Sequence, residues 1–331
     1  MDWQEEPRQR GVHVVLGAGM VARSLARALR AAGRDVRVVH RTEGHLDLGG
    51  AEEAHADATR AGDVEDVTEG AACVYHCARP GPLEWPPGIL WLARGVAEGT
   101  RRNGVDLVVL DDLSAYGRAV VVGPGTESRP CSPGGVLRAQ AASLFLAPEA
   151  RGRRRVIVAR TADLFGPGAD RAPLLGERFL RCVLSGRPAP AYGNPDLPHS
   201  YAYLPDVVRA LVALGESPLA GGVYLLPAEP AESTVRVFGR FYAALGLEPA
   251  LSRRSAWGAW LREFMHPGSE ELAERIFQWK QPLVVDDVRI RREMGVGSTP
   301  WDEAVQGTLA WARDAFGTAT RPVRRRRGIV A

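Results

Sequence analysis

A glycine-rich turn near the start of the chain constrains its fold more than any other feature. An apolar run at residues 12–16 ends at a Gly-x-Gly sequence, Gly17 and Gly19, and an amphipathic helical pattern continues from there to Gly33. A second apolar run follows at residues 36–39. A strand, a glycine turn, a helix and a strand in this order predict a right-handed βαβ unit at the start of a parallel sheet.

The following residues continue the same alternation. Apolar runs at 72–77, 107–110 and 156–159 are separated by helical patterns near 88–103 and 136–147. This order predicts an α/β protein, with a Rossmann-type doubly wound parallel sheet and a smaller C-terminal substrate lobe.

The residue types in the turn indicate what it binds. Gly17 permits a tight turn, Gly19 lets a pyrophosphate approach the backbone, and Ala22 is small enough for close packing of the helix on the strand. The helix opens at Met20 and Val21, so its N-terminal N–H groups and positive dipole end would face that pyrophosphate. The turn therefore predicts a dinucleotide site.

The end of the second strand distinguishes the two nicotinamide dinucleotides. An NAD site carries Asp or Glu there, which binds the ribose hydroxyls. Here the sequence is His40-Arg41-Thr42, and a guanidinium suits a 2′-phosphate. We therefore expect NADP(H) to be favoured over NAD(H).

The 331 residues divide into three predicted parts. Residues 1–168 are expected to form the dinucleotide-binding Rossmann domain. Residues 169–317 are expected to form mainly the substrate-binding lobe, with some segments returning to the Rossmann core. Residues 318–331 have no apolar pattern and are expected to form a disordered, arginine-rich tail.

Charge and composition indicate which partners to expect. The net charge is +3, but five arginines lie in the last eleven residues, and removing them leaves −2. The sequence contains no apolar stretch of membrane-spanning length, and we expect no signal peptide before the first strand. We expect a cytoplasmic protein with a small-molecule substrate, no nucleic-acid partner and no membrane association.

The cysteines give no indication of a metal centre. Cys73, Cys77, Cys131 and Cys182 show no Cys-x-x-Cys spacing. We expect buried, reduced thiols and no metal site.

Several segments together resemble the extended short-chain dehydrogenase/reductases of the NAD-dependent epimerase/dehydratase family, from about Val12 to Phe316. Beside the glycine turn, the similar segments are Asp57-Ala58, His76-Cys77-Ala78-Arg79, residues 110–117 (Leu-Asp-Asp-Leu-Ser-Ala-Tyr-Gly), residues 160–168 (Arg-Thr-Ala-Asp-Leu-Phe-Gly-Pro-Gly) and residues 198–207. The resemblance implies that Asp57 touches the adenine and that residues 160–168 adjoin the nicotinamide. The residues expected to contact the cofactor are Gly17, Gly19, Met20, Val21, His40, Arg41, Asp57, Ala58, Cys77, Ala78, Arg79, Gln140, Ala162 and Leu164.

The proton-transfer residues of that family are missing. The resemblance implies a serine that polarises the substrate oxygen, and a tyrosine and a lysine four residues apart on one helix. Asp112 takes the serine position, and the pair aligns best with Val136 and Gln140. Lys280 is the only lysine in the chain, and Arg138 lies two residues from the lysine position. Gln140 would hydrogen-bond a ribose hydroxyl without supplying charge.

Three residues are candidates to replace the missing pair. Tyr116 follows the end of a strand, where ligands of such sheets bind, and would act as an acid or serve only in packing. Asp112 would orient a substrate hydroxyl, or donate a proton if desolvation raised its pKa. His199 is a histidine, the side-chain type that serves most often as an acid or base near neutral pH, and would be catalytic or structural.

Three functions remain compatible with this sequence. The first is an NADPH-dependent oxidoreductase that reduces a small carbonyl or quinone-like metabolite in specialised metabolism. The second is a non-redox isomerase, dehydratase or cyclase, and the third is an NADP(H)-sensing binding protein. A homodimer is expected by analogy, through the helices near 88–103 and 136–147, with Ala139, Ala142 and Leu146 allowing close approach.

Overall fold

A computed structural model describes residues 11–41, 48–151, 154–218, 221–254 and 274–317. The helices are α1 (Met20–Ala31), α2 (Ala61–Thr68), α3 (Gly88–Arg102), α4 (Pro133–Leu146), α5 (Pro148–Arg151), α6 (Glu177–Leu184), α7 (Leu204–Glu216), α8 (Thr234–Ala243), α9 (Val288–Met294) and α10 (Trp301–Phe316). The strands are β1 (Val12–Leu16), β2 (Val36–His40), β3 (Glu52–His55), β4 (Ala71–His76), β5 (Asp106–Asp112), β6 (Val121–Val122), β7 (Val156–Thr161), β8 (Asp163–Phe165), β9 (Ala189–Tyr192), β10 (Pro198–His199), β11 (Tyr201–Tyr203), β12 (Gly222–Leu225), β13 (Glu232–Ser233), β14 (Leu251–Arg254) and β15 (Val284–Val285).

Seven parallel strands form the central sheet, in the order β12-β7-β5-β4-β1-β2-β3. Its middle strands are rich in Val and Leu because helices cover both faces. Helices α1 and α7 pack together on one face, and α2, α3 and α4 form the other layer. The predicted Rossmann-type doubly wound fold is confirmed.

Both edge strands of the sheet have weak sequence signals. Strand β3 reads Glu-Glu-Ala-His and exposes its first and last residues, so no apolar run marks it. Strand β12 pairs with β7 although more than fifty residues separate them in the chain. The boundary predicted at residue 168 follows chain order, and it stays a prediction.

A second hydrophobic cluster lies outside the sheet and joins α6, α8 and α10 with β9. Aromatic rings dominate it: the Phe179 and Phe238 centroids are 4.5 Å apart, and those of Phe165 and Trp301 are 5.2 Å apart. Each large aromatic side chain buries a large apolar surface. This cluster therefore gives the C-terminal half its own hydrophobic core.

The described residues bear on three further expectations. No helix among them is both long and apolar enough to span a membrane. Their cysteines are free thiols: Cys73 and Cys77 are buried, whereas Cys131 is exposed, because it precedes the N-cap of α4. The arginine-rich tail at 318–331 and Thr42 lie outside the described residues.

The surface expected to pair two copies faces partly inward. Ala142 is buried, and Ala139 and Leu146 border a small cavity beside α4. The apolar side chains that α3 and α4 do expose are Trp91 and Val136. The homodimer stays a prediction. If two copies pair through these helices, Trp91 and Val136, rather than the alanines, are the apolar side chains available for contact.

A buried carboxyl in the C-terminal half predicts a pH dependence of stability. Burial raises the pKa of Glu229 to about 7, with further repulsion from Asp206, while a hydrogen bond from Ser298 opposes the shift. Its Oε1 has no hydrogen-bond partner within the described parts of the chain. A carboxyl whose pKa is higher in the folded state than in the unfolded state makes the protein less stable as the pH rises from about 4.5 to 7. In this range the unfolded chain has already lost the proton, whereas the folded protein still holds it.

We therefore expect Glu229→Gln to raise the free energy of unfolding at pH 8 by on the order of 1–3 kcal/mol. The variant should then unfold at a higher urea concentration than the parent. At pH 5 the difference should shrink, because the parent carboxyl is then protonated. Urea unfolding at the two pH values measures this, and a variant that is equally destabilised at both would contradict the assignment.

Candidate active site

A cavity of about 800 Å³ runs along the carboxyl ends of β2, β1, β4, β5 and β7. Parallel strands bring the residues that follow them to one edge of the sheet, and ligands of such folds bind there. Helix α4, the loop before α6 and the segment around Arg275 complete the wall.

The glycine turn forms one end of this cavity. Gly17 has φ +111°, and a Cβ there would lie 2.8 Å from the backbone of Ala78. Gly19 caps α1, and a Cβ on it would meet no atom within 4 Å. The open space before the N-terminus of α1 therefore suits a dinucleotide diphosphate, bound by N–H groups that the helix leaves free.

Arg41 lies at the end of β2, but a carboxylate already holds it. Its guanidinium donates two hydrogen bonds of 2.7 Å to Glu84 and lies 3.9 Å from Asp57. Glu84 also accepts the N–H of Gly81 at 2.7 Å. The hydrogen bonds from Arg41 and Gly81 lower the pKa of Glu84 to about 2, so its charge balances that of Arg41 at neutral pH.

Most of the residues predicted to contact a cofactor line the cavity: Gly17, Gly19, Met20, Val21, His40, Arg41, Ala58, Cys77, Ala78, Arg79, Ala162 and Leu164. Asp57 and Gln140 do not. The carboxylate of Asp57 accepts both the N–H and the hydroxyl of Thr59, which closes a turn beside the cavity.

Two neighbouring carboxylates end β5 and share one arginine. Arg138 of α4 lies 3.2 Å from Asp111 and 3.1 Å from Asp112. Asp111 is also 3.1 Å from Arg160, and Asp112 accepts the N–H of Ser114 at 2.9 Å. Asp111, Asp112 and Arg138 line the cavity, so all three would meet a ligand. Burial raises the pKa of Asp111 above its ordinary value, although the charges of Arg138 and Arg160 oppose the shift.

These contacts fix the ionisation of Asp112. Burial alone would raise its pKa, but the charges of Arg138 and Arg275 and the hydrogen bonds from Ser114 hold the pKa well below its ordinary value. Asp112 is therefore a carboxylate at neutral pH, which accepts a hydrogen bond from a substrate hydroxyl and donates no proton. Burial also lowers the pKa of His76 to about 4, so this neighbour is neutral.

His199 lies behind the wall and acts on the cavity only through Asp163. Its Nε2 is 2.9 Å from Asp163 Oδ2, which also accepts Trp279 Nε1 at 2.6 Å. Arg275 donates to the other oxygen of Asp163. Burial opposes ionisation, but Arg275 and His199 outweigh it and lower the pKa of Asp163 to about 2. His199 thus positions Asp163 and Arg275, and its side chain is not in the wall.

Tyr116 does not reach this cavity either. It is buried, with its ring 4.6 Å from the guanidinium carbon of Arg160, and it lines a separate cavity of about 270 Å³. This placement does not favour Tyr116 as the acid. Its ring contacts Arg160, which contacts Asp111, and only Asp111 contacts Arg138 at the cavity.

Val136 and Gln140 do not stand where a tyrosine and a lysine would face the cavity. Both are exposed on α4, whereas Arg138 faces the cavity. The residue four positions before Arg138 is Gly134. Since side chains four apart lie on one face of a helix, Gly134 and Arg138 stand where the tyrosine and the lysine were expected. Gln140 therefore does not face a bound ribose.

Two other side chains fill the space beside Gly134. A Cβ on Gly134 would lie 2.6 Å from Trp85 and 2.7 Å from a carboxylate oxygen of Glu274. That same oxygen accepts the N–H of Gly134 at 2.8 Å, and the other oxygen of Glu274 accepts Trp85 Nε1 at 3.3 Å. The place of a tyrosine is thus occupied by residues from two distant parts of the chain.

Some residues of the site were missed in the sequence, and one signal would have helped. Ser132-Pro133 is an N-cap followed by proline at the first helical position, and Ser132 Oγ accepts the N–H of Gly135 at 3.1 Å. That signal places the start of α4 and hence its cavity face. Arg275 follows no motif, and only the folded chain shows that it meets Asp163.

The comparisons with known proteins identify the family of this chain. The model of the NAD dependent epimerase/dehydratase family matches residues 13–226, so the chain belongs to that family. Among curated protein sequences, none matches this chain.

Solved structures of the same fold cover nearly the whole chain. MoeE5, determined with UDP-glucose and NAD and also with UDP-glucuronic acid and NAD, is 26% identical, with a TM-score of 0.74 over 92% of this chain and 100% of that one. UDP-glucuronic acid 4-epimerase from Bacillus cereus with NAD is 15% identical, with a TM-score of 0.73 over 92% and 99% of the two chains. TunA, an NAD-dependent NDP-hexosamine 5,6-dehydratase of tunicamycin biosynthesis, is 19% identical, with a TM-score of 0.72 over 92% and 98%.

Proposed function

We propose that this protein is an NADP(H)-dependent enzyme that oxidises a hydroxyl-bearing carbon of a small metabolite, as the first half of an epimerase- or dehydratase-type reaction. The ionised Asp112 beside Arg138, in the same cavity as the glycine turn, carries this proposal. Nucleotide sugars are the first substrate class to test, because MoeE5 binds two of them.

The side chains present have defined tasks in such a reaction. Asp112 accepts a hydrogen bond from the substrate hydroxyl and so orients it, and the hydroxyl proton passes through this carboxylate to water as the hydride leaves. Arg138 places a permanent positive charge beside the developing alkoxide, which a low-dielectric cavity makes effective. A dinucleotide bound at the glycine turn would supply the nicotinamide ring, which accepts the hydride and can return it. Asp163 holds Arg275 in place and closes that end of the cavity.

Net reduction of a carbonyl or quinone-like compound, as expected from the sequence, has less support than a reaction that returns the hydride. The family whose model matches residues 13–226 is that of NAD dependent epimerases and dehydratases. The third possibility, a binding protein without turnover, shares the cofactor site and differs only in the absence of product.

Mixing the protein with NADP⁺ or NAD⁺ and then with UDP-glucose, UDP-glucuronic acid or small hydroxy acids tests the proposal. The expected result is transient reduced-nicotinamide absorbance, with an epimerised or dehydrated product found by mass spectrometry or NMR. Asp112→Asn is the matched control and should remove the signal. Stoichiometric consumption of NADPH with a carbonyl substrate, without any oxidation half-reaction, would contradict the proposed direction.

The preference for NADP(H) depends on Arg41 and on the carboxylate that holds it. We expect Arg41→Ala to weaken NADPH binding at least about tenfold and NADH binding about twofold or less, because a charge-assisted contact to the 2′-phosphate is lost. Glu84→Gln should instead tighten NADPH binding, since it leaves the Arg41 charge unbalanced.

Fluorescence titration of both variants with NADPH and NADH measures this preference. Equal losses for the two cofactors in Arg41→Ala would show that Arg41 does not contact a 2′-phosphate. An unchanged NADPH affinity in Glu84→Gln would show that Glu84 does not compete for it.

A further inference from the structure

We propose that the substrate carries an oxyanion group, a carboxylate or a phosphate, at its reacting end, and that Arg79 and Arg275 bind this group beside Arg138. This inference rests on the proposed function, because it assigns the substrate class of the same cavity. Three arginines from distant parts of the chain converge there: Arg79 follows β4, Arg138 belongs to α4, and Arg275 precedes the 3-10 helix Ile276–Lys280.

The order of the strands separates these arginines from the cofactor diphosphate. The glycine turn follows β1, and Arg41 follows β2, so a dinucleotide would begin over this side of the sheet. Asp112 and Arg138 lie at the end of β5, and Asp163 and Arg275 lie beyond the end of β7, on the other side of β4. Arg138 and Arg275 therefore face the half of the cavity that holds the reacting end of a substrate, and Arg79, which follows β4, is close enough to both for their charges to act on it.

Positive charge exceeds negative charge along the cavity wall. The wall contains five arginines (Arg41, Arg79, Arg138, Arg171 and Arg275) and three aspartates (Asp111, Asp112 and Asp163). Arg41 is balanced by Glu84 outside the wall. Asp111 is shared with Arg160, so it neutralises the cavity only in part.

Arg79 shows the repulsion among these cations. Its side chain is exposed, but it is exposed to the inside of the cavity, whose walls surround it on most sides. Burial in the cleft, followed by repulsion from Arg138 and Arg275, lowers the pKa of Arg79 to about 10, and Asp112 compensates only partly. An anion bound among the three guanidinium groups would relieve that repulsion.

Arg275 has hydrogen-bonding capacity left for a ligand. One of its terminal nitrogens donates to Asp163, whereas its buried Nε has no partner within the described residues. Guanidinium groups bind carboxylates and phosphates through two parallel hydrogen bonds, so Arg275 is suited to this ligand.

Asp112 would lie next to the bound anion and limit its affinity. Both charges compete for Arg138 and Arg275, because these two arginines are the main cations acting on Asp112. The substrate would therefore carry its hydroxyl close to its anionic group, as hydroxy acids and nucleotide-linked uronic acids do. The hydroxyl meets Asp112 and the anion meets the arginines.

Isothermal titration of the cofactor-saturated protein with malonate, inorganic phosphate and uncharged malonamide tests the inference. We expect malonate or phosphate to bind and malonamide not to bind; the tighter of the two anions identifies carboxylate or phosphate as the group. Arg79→Gln and Arg275→Gln should each weaken the anion about tenfold, and Arg275→Lys should weaken it less. Asp112→Asn should tighten it several-fold, a gain that misfolding does not produce. Arg118→Gln, at an exposed position outside the cavity, is the matched control and should change nothing.

The inference is overturned if malonamide binds as well as malonate, if neither anion binds, or if the Arg79 and Arg275 variants bind as the parent does. Nicotinamide fluorescence on the same samples separates this from a failure of the proposed function. Intact cofactor binding without anion binding refutes the inference alone. If no cofactor binds, the proposed function fails, and titration of malonate into the cofactor-free protein still decides the inference.

Discussion

Replacing Gly19 by alanine is expected to weaken NADPH and NADH binding by about a hundredfold and to leave the free energy of unfolding nearly unchanged. The residue caps α1 at φ −72°, which any residue adopts, and an added Cβ meets no protein atom within 4 Å. The methyl group would instead fill the space through which a diphosphate approaches the backbone. Fluorescence titration and urea unfolding together measure the two effects.

Gly62→Ala is the matched control for this variant. Gly62 lies in α2, where a Cβ also meets nothing within 4 Å, so the same methyl group is added away from the cavity. It should leave cofactor binding unchanged and stabilise the helix by about 0.5–1 kcal/mol. Cofactor affinity that survives in Gly19→Ala would place the diphosphate elsewhere.

Replacing Arg138 by methionine is expected to lower the free energy of unfolding by about 3–5 kcal/mol. Arg138 is largely buried and is the cation that Asp111 and Asp112 share, so its loss leaves Asp112 without its nearest cation and Asp111 with Arg160 alone. Adding Asp112→Asn should recover part of the loss, because it removes one of those charges. Urea unfolding at neutral pH gives both values.

An exposed ion pair provides the comparison. Arg101 donates to Glu98 on the surface of α3, and Arg101→Met should destabilise the fold far less than Arg138→Met, since water already solvates both charges. If Arg138→Met is no more destabilising than Arg101→Met, or if Asp112→Asn recovers nothing, the shared charge at the end of β5 is not what Arg138 supplies.

The cofactor half of the cavity follows from the sequence because its determinants are local. A strand, Gly17, Gly19 and the first turn of α1 lie within twenty residues, and backbone geometry alone fixes their purpose. Arg41 was identifiable for the same reason. Its balance by Glu84 was not, because forty-three residues separate the two and only the fold brings them together.

The reacting half depends on long-range contacts and was less predictable. Asp112 was found by position, but whether it carries a proton depends on Arg138 and on Arg275, which lies far along the chain. Tyr116 and His199 were reasonable candidates by sequence, yet the packing of Arg160 and Asp163 keeps both out of the cavity. The tyrosine position on α4 was predicted two residues too late because Gly134 has no side chain that would mark it.

The decisive measurement for the dinucleotide site is titration of the purified protein with NADPH and NADH, followed by nicotinamide fluorescence. We expect saturable binding of both cofactors, with NADPH the tighter, and loss of this binding in Gly19→Ala. Absence of binding by either cofactor would contradict a working dinucleotide site along the glycine turn, and the oxidation assigned to Asp112 and Arg138 would fall with it.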